Sequence, residues 1–247
     1  MLLALDIGNT SVRLGLFSAE ELRRAWRIAD SRLADEPHLG LVPEEREAVQ
    51  AIVACSVAPS VLEVVCSRLE KLRAAPMRLV QHAGETGIPT RYGNPETLGV
   101  DRLVGCRAAR DLYGVPCLVV DLGTAMTFDA VSAAGEHLGG AIAPGLRTSA
   151  RALTAKAELL PDFEPAEGAA AIATSTLAGL NGGFVLGFAG MIDQMVRRIR
   201  QEMGIRAQAI ATGGDATLVI PHCREIDTVD EALTLQGLRL IYQSGEV

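Results

Sequence analysis

Apolar and polar positions along the opening stretch draw a hairpin. Leu2 to Asp6 is an apolar run ending in a carboxylate, Gly8-Asn9-Thr10 has turn chemistry, and Val12 to Phe17 alternates with a period of two. Leu22 to Ile28 reads as a third strand, Ala48 to Ser56 as a buried strand, Val61 to Leu72 as a helix and Met77 to Val80 as a short strand. From Gly99 to Tyr113 the pattern changes period: Leu103, Cys106, Ala109 and Leu112 fall at helical spacing.

At Pro116 the pattern begins again. Cys117 to Asp121 is a strand, Gly123-Thr124 a turn and Met126 to Val131 the returning strand, so Asp6-Ile7-Gly8-Asn9-Thr10 sits over Asp121-Leu122-Gly123-Thr124-Ala125. This recurrence predicts two copies of a mixed β/α unit, residues 1–114 and 115–247, with a ligand cleft lined by both turns. After Gly139-Gly140 and Pro144-Gly145, Leu146 to Lys156 reads as a helix. Thr176 to Met203 reads as a long helix, Gln208 to Thr212 as a strand and Glu231 to Tyr242 as a closing helix.

Composition narrows the function classes. At 49% hydrophobic and 21% charged residues the 247-residue chain has ordinary globular usage, which excludes a disordered or fibrous chain and leaves room for two cores. A net charge of -7 argues against a nucleic-acid surface. Cys55, Cys66, Cys106, Cys117 and Cys223 are scattered without zinc spacing and read as core or surface thiols of a reduced compartment. No basic, apolar leader opens the sequence, and the expected location is cytoplasmic. Gly168 to Ile192 carries no charge, but Thr174, Ser175, Thr176, Asn181 and many glycines favour a buried helix at a domain or subunit junction over a membrane span. Within it Gly179, Gly183 and Gly187 recur every fourth residue and make a helix face almost without side chains. That face suits packing inside the domain or a homodimer contact equally.

The turns carry the chemistry. An Asp-x-Gly-x-Thr turn between antiparallel strands offers a phosphate several N–H groups and a hydroxyl, and offers Mg²⁺ a carboxylate. A single copy is explained as readily by turn geometry; two copies, followed by Thr212-Gly213-Gly214-Asp215 after a late strand, point to a nucleotide. P-loop and dinucleotide fingerprints are missing, and Lys71 and Lys156 are the only lysines.

Over nearly its whole length the chain resembles type III pantothenate kinases. The resemblance rests on Asp6-Ile7-Gly8-Asn9-Thr10, Gly99-Val100-Asp101-Arg102, Asp121 to Asp129, Gly139 to Gly145 and Thr212-Gly213-Gly214. It implies an α/β, two-domain actin-like (ribonuclease H-like) ATPase fold with a central nucleotide cleft, and phosphorylation of pantothenate from ATP in the first step of coenzyme A synthesis. ATP is expected along Asp6, Ile7, Gly8, Asn9, Thr10, Ser11, Val12 and Arg13, with Thr124, Gly213 and Gly214. The resemblance makes Asp101 the general base, and Tyr92, Gly99, Val100, Asp101, Arg102 and Thr176 the pantothenate contacts. It gives Asp6 to Mg²⁺ through water, Asp121 to a monovalent cation, K⁺ or NH₄⁺, and the enzyme to a homodimer. Each role has a plainer competitor: a first-turn helix acid for Asp101, a turn aspartate for Asp121, and an N-cap for Thr176. Two other functions stay open, a non-catalytic accessory or regulatory member of the same family and a kinase of another small hydroxyl compound.

Overall fold

The computed structural model describes residues 1–71 and 75–245. Leu72, expected to end a helix, lies outside them. The chain forms two compact units, one of Met1–Asp111 with the stretch that starts at Ala232, the other of Leu112–Glu231.

The first unit is built on β1 (Leu2–Ile7), β2 (Ser11–Ser18), β3 (Glu21–Ala29), β4 (Ala51–Ser56) and β5 (Met77–Val80), with helices α1 (Pro43–Ala48), α2 (Pro59–Lys71) and α3 (Val100–Tyr113). Its sheet has the order β3-β2-β1-β4-β5; β1 runs antiparallel to β2 and parallel to β4. Both faces of β1 are covered, which explains its unbroken apolar run. Leu3, Leu5 and Ile7 join a core with Val65 and Leu69 of α2, whereas Leu2 and Ala4 join Val100 and Val104 of α3. By alternation Asp6 falls on the face of Leu2 and Ala4.

The second unit repeats the plan with β6 (Cys117–Leu122), β7 (Ala125–Val131), β8 (His137–Pro144), β9 (Gln208–Thr212) and β10 (Thr228–Val229) in the order β10-β9-β6-β7-β8. The senses match strand for strand: β6 is antiparallel to β7 and parallel to β9. Helices α4 (Leu146–Thr154), α5 (Thr176–Met203) and α6 (Ala216–Val219) complete it, with Ala189, Ile192 and Val196 of α5 packed on Leu118, Val120 and Leu122. Strand β8 takes in Gly139-Gly140, where no strand was expected. A side chain at Gly140 would strike the Phe128 carbonyl of β7, so a glycine is required inside the strand.

Two features depart from the expectation. The closing helix α7 (Leu233–Ser244) buries Leu235, Leu238 and Ile241 against Leu2, Ala4, Val100 and Val104, and Gly237 lets the Val104 carbonyl come close. It therefore belongs with the first compact unit and not with residues 115–231. On α5, among the described residues, nothing beyond the adjoining residues and the helix's own nearby backbone comes within 4 Å of a Cβ placed on Gly179, Gly183 or Gly187, and all three are exposed. Packing inside the domain explains Gly182, which faces the Ala170 carbonyl, but not that glycine face. Among the described residues no helix is long and apolar enough to cross a membrane.

Candidate active site

Asp6 stands one residue before the end of β1, where the chain leaves the sheet for the first turn. The Gly8 amide donates to the Ser11 carbonyl (3.0 Å), Ile7, Ser11 and Val12 are buried, and Asn9 and Thr10 are exposed. Sheet register sets the neighbours of Asp6: Cys55 beside it on β4, Arg13 on β2 and, one strand further, Arg27 on β3. The Cys55 thiol donates to Asp6 Oδ1 at 3.7 Å, and Arg27 Nε donates to Ser11 Oγ at 2.7 Å. Burial pushes the Asp6 carboxyl above its ordinary pKa, and the opposing pulls of Arg13, the Cys55 thiol and Arg27 only partly cancel this.

Asp101 opens α3, the helix covering the same face of β1. Its Oδ1 accepts the Arg102 amide at 2.9 Å, and that amide also reaches the Gly99 carbonyl at 3.1 Å. A Cβ on Gly99 would lie 2.7 Å from Asp101 Oδ1, so glycine there leaves room for the carboxylate. Burial, then Asp6, then Asp101 raise the Cys55 thiol well above its ordinary value, so both carboxylates act on one sulfur. The structure thus gathers Asp6, Arg13, Gly99 and Asp101, and adds Cys55 and Arg27, which local motifs did not single out. Tyr92 is half-buried in the loop before α3, its amide donating to Thr90 Oγ1 at 3.1 Å.

The second turn is tighter. Residues 8–11 separate the Ile7–Val12 pair, but only 123–125 separate Leu122 and Met126. The Thr124 carbonyl accepts from the Gly145 amide (3.0 Å) and from Thr148 Oγ1 (2.7 Å), both at the start of α4. A side chain on Gly145 would collide with the Gly123 carbonyl. The intervening Arg147 donates to Asp215 (2.8 Å) and Glu164 (2.6 Å), tying α4 to the Thr212-Gly213-Gly214-Asp215 loop. Gly213 has φ +100°, and a Cβ there would lie 2.5 Å from Asp121 Oδ1. Asp121 pairs in register with Thr127 and Thr212, and the Thr212 hydroxyl is buried without a hydrogen-bond partner among the described residues. Gly214 is exposed. Thr176 is also exposed and does not cap α5; Ser175 does, accepting the Ala178 amide at 3.3 Å.

The sequence family of type III pantothenate kinases matches residues 2–198. The chain belongs to that family. A type III pantothenate kinase of Moorella thermoacetica is 39% identical over 98% of this chain and 99% of its own, and one of Dehalococcoides mccartyi is 42% identical over 100% and 97%. At the level of fold, this pantothenate kinase family member is similar to a Campylobacter jejuni protein described as a Baf family transcriptional activator (TM-score 0.62, 21% identity, 98% of each chain). It is also similar to MreB 5 of Spiroplasma citri (TM-score 0.52, 8% identity, 98% and 96%). The fold is that of actin-like ATPases, with two mixed five-stranded sheets.

Proposed function

We infer that the chain moves the γ-phosphoryl group of ATP to the hydroxyl of pantothenate, with Asp101 as the base. Membership of the family makes it a pantothenate kinase, an enzyme of coenzyme A biosynthesis; the residue roles are our assignment. The observation that supports them is the convergence of Asp6 and Asp101, from a strand end and a helix start, on the Cys55 thiol.

A hydroxyl is a poor nucleophile at neutral pH, so its proton must leave as the bond to phosphorus forms. Asp101 accepts that proton, in the space that Gly99 leaves open. Tyr92, Gly99, Val100 and Arg102 bind pantothenate around it, and Thr176 at the exposed start of α5 is assigned to the same substrate. Asp6 to Arg13 take the phosphates through backbone amides and the Thr10 and Ser11 hydroxyls, and Thr124, Gly213 and Gly214 are assigned to ATP as well.

ATP kinases of this fold work with a divalent metal. Asp6 would hold Mg²⁺ through water, where the ion would offset phosphate charge. Asp121 with the Thr212 hydroxyl, which has no partner among the described residues, is an oxygen-only donor pair that suits K⁺ or NH₄⁺. When bound, the two cations offset phosphate charge. The five free cysteines suit the cytoplasm.

The open glycine face of α5 fits a twofold contact with a second copy of this chain. Since no other described part of the chain lies near the Gly183 Cβ position, Gly183→Leu is expected to fold and to sediment as a monomer where the wild type sediments as a dimer. A monomeric wild type ends that idea. For the reaction, the purified chain is incubated with ATP, Mg²⁺ and K⁺ and a panel of hydroxyl acceptors. ADP formed only with pantothenate supports the assignment; ADP with another acceptor, or none at all, moves it to the other two functions.

A further inference from the structure

Four strands of the first sheet bring one residue each to the same level: Cys55, Asp6, Arg13 and Arg27. Directly opposed residues of neighbouring strands share a face, so these side chains stand in a row beside the first turn. Arg27 does not help the sheet, because it lies directly opposite Arg13 on an antiparallel strand and like charges so placed are unfavourable. Nor does the architecture call for it. The second unit repeats the row as Thr212, Asp121, Thr127 and Ile142, with an isoleucine, 63% exposed, at the place of Arg27. The arginine at the end of the first row therefore serves something particular to the first site.

Its surroundings say what. The Arg27 Nε is held by the Ser11 hydroxyl at 2.7 Å, which fixes the guanidinium against the turn. Ser11 and Arg13 lie in the segment assigned to the phosphates, and the charges of Arg13 and Arg27 both reach the Asp6 carboxylate. A triphosphate carries more negative charge than one divalent cation offsets. With no lysine outside Lys71 and Lys156, the cations of this segment are arginines, whose planar forks match pairs of phosphate oxygens. We propose that Arg27 is a second phosphate-binding arginine, which holds the ATP phosphates together with Arg13 across the β2–β3 pair. The proposal rests on the reading of Asp6 to Arg13 as the nucleotide turn.

Calorimetric titration of ATP into the full chain, with Mg²⁺ and without pantothenate, tests it. Arg27→Gln should bind ATP about tenfold more weakly, the order of one charge-assisted hydrogen bond. Arg27→Lys, keeping the charge without the fork, should fall between the variant and wild type. Arg23→Gln, four residues earlier on β3 and paired with Glu21, should bind as wild type does. Wild-type affinity in a folded Arg27→Gln overturns the proposal, as does an equal loss in Arg23→Gln, which would make the effect one of overall charge. If Arg27→Gln does not fold, wild-type affinity in Arg27→Lys overturns it. A wild-type chain that binds no ATP overturns the nucleotide turn itself, and Arg27 with it.

Discussion

The turns after β1 and β6 have the same strand order around them and the same run of burial from the aspartate onward, yet their aspartates keep different company. Beside Asp6 the neighbouring strands present a thiol and two guanidiniums; beside Asp121 they present two hydroxyls and an isoleucine. The duplicated backbone sets where a carboxylate leaves the sheet, and the cross-strand neighbours set what it can hold. Guanidiniums with a carboxylate suit a polyphosphate and its metal, while hydroxyls with a carboxylate make an oxygen-only site for a hard cation. The turns differ in support as well. The second is one residue shorter and is held by two hydrogen bonds from α4 to the Thr124 carbonyl.

The comparison is tested most severely at Asp101, which gives the first site a second carboxylate. Asp101→Asn should lower kcat by on the order of 10² to 10⁴. Its melting temperature should barely move, because a lost helix-dipole interaction costs only about 0.3 to 1 kcal/mol. Turnover within about threefold of wild type, far from a general-base effect, would remove Asp101 from the mechanism.

Exchanging each turn aspartate for asparagine sharpens the contrast. Because burial raises the Asp6 carboxyl, the folded chain holds that proton to a higher pH than the unfolded chain. The associated stability is full below the ordinary carboxylate pKa and is lost as pH rises through the folded value. Asp6→Asn should therefore melt above wild type at pH 7, with the gap closing as the pH falls towards about 4, while ATP binding weakens about tenfold or more. Thermal melts across pH check this, and a variant less stable than wild type at pH 7 refutes the buried-charge account. Asp121→Asn should instead abolish the difference in rate between potassium and a large organic cation. A retained potassium response would take the cation away from Asp121.

The smallest effect concerns the support of the second turn. Thr148→Val keeps the shape and removes the hydroxyl that holds the Thr124 carbonyl, a loss of roughly 0.5 to 1.5 kcal/mol or about two- to tenfold. The KM for ATP should rise by that factor, the KM for pantothenate should stay level, and Thr148→Ser should restore the former. Equal rises in both constants would mean general loosening of the unit.

The sequence shows both hairpins because period-two alternation and turn residues are local signals. The same locality makes the bounds of β5, α5 and β9 legible. Strand β8 was hidden because Gly139-Gly140 and Pro144 have turn composition, and only the approach of the Phe128 carbonyl reveals why Gly140 sits in a strand. Helix α7 was visible as a helix, but its apolar face does not name the sheet it covers. Cys55 and Arg27 escaped for a related reason. The row uniting residues 6, 13, 27 and 55 exists only once strand register is set, and no short motif spans it.

Helix α7 also gives the two units different histories during synthesis. Leu112–Glu231 is one continuous stretch and can close its core as soon as it has left the ribosome. The unit holding Asp6 and Asp101, although it begins at the first residue, lacks Leu235, Leu238 and Ile241 until the whole second unit has been made. The half of the molecule that starts first is thus finished last.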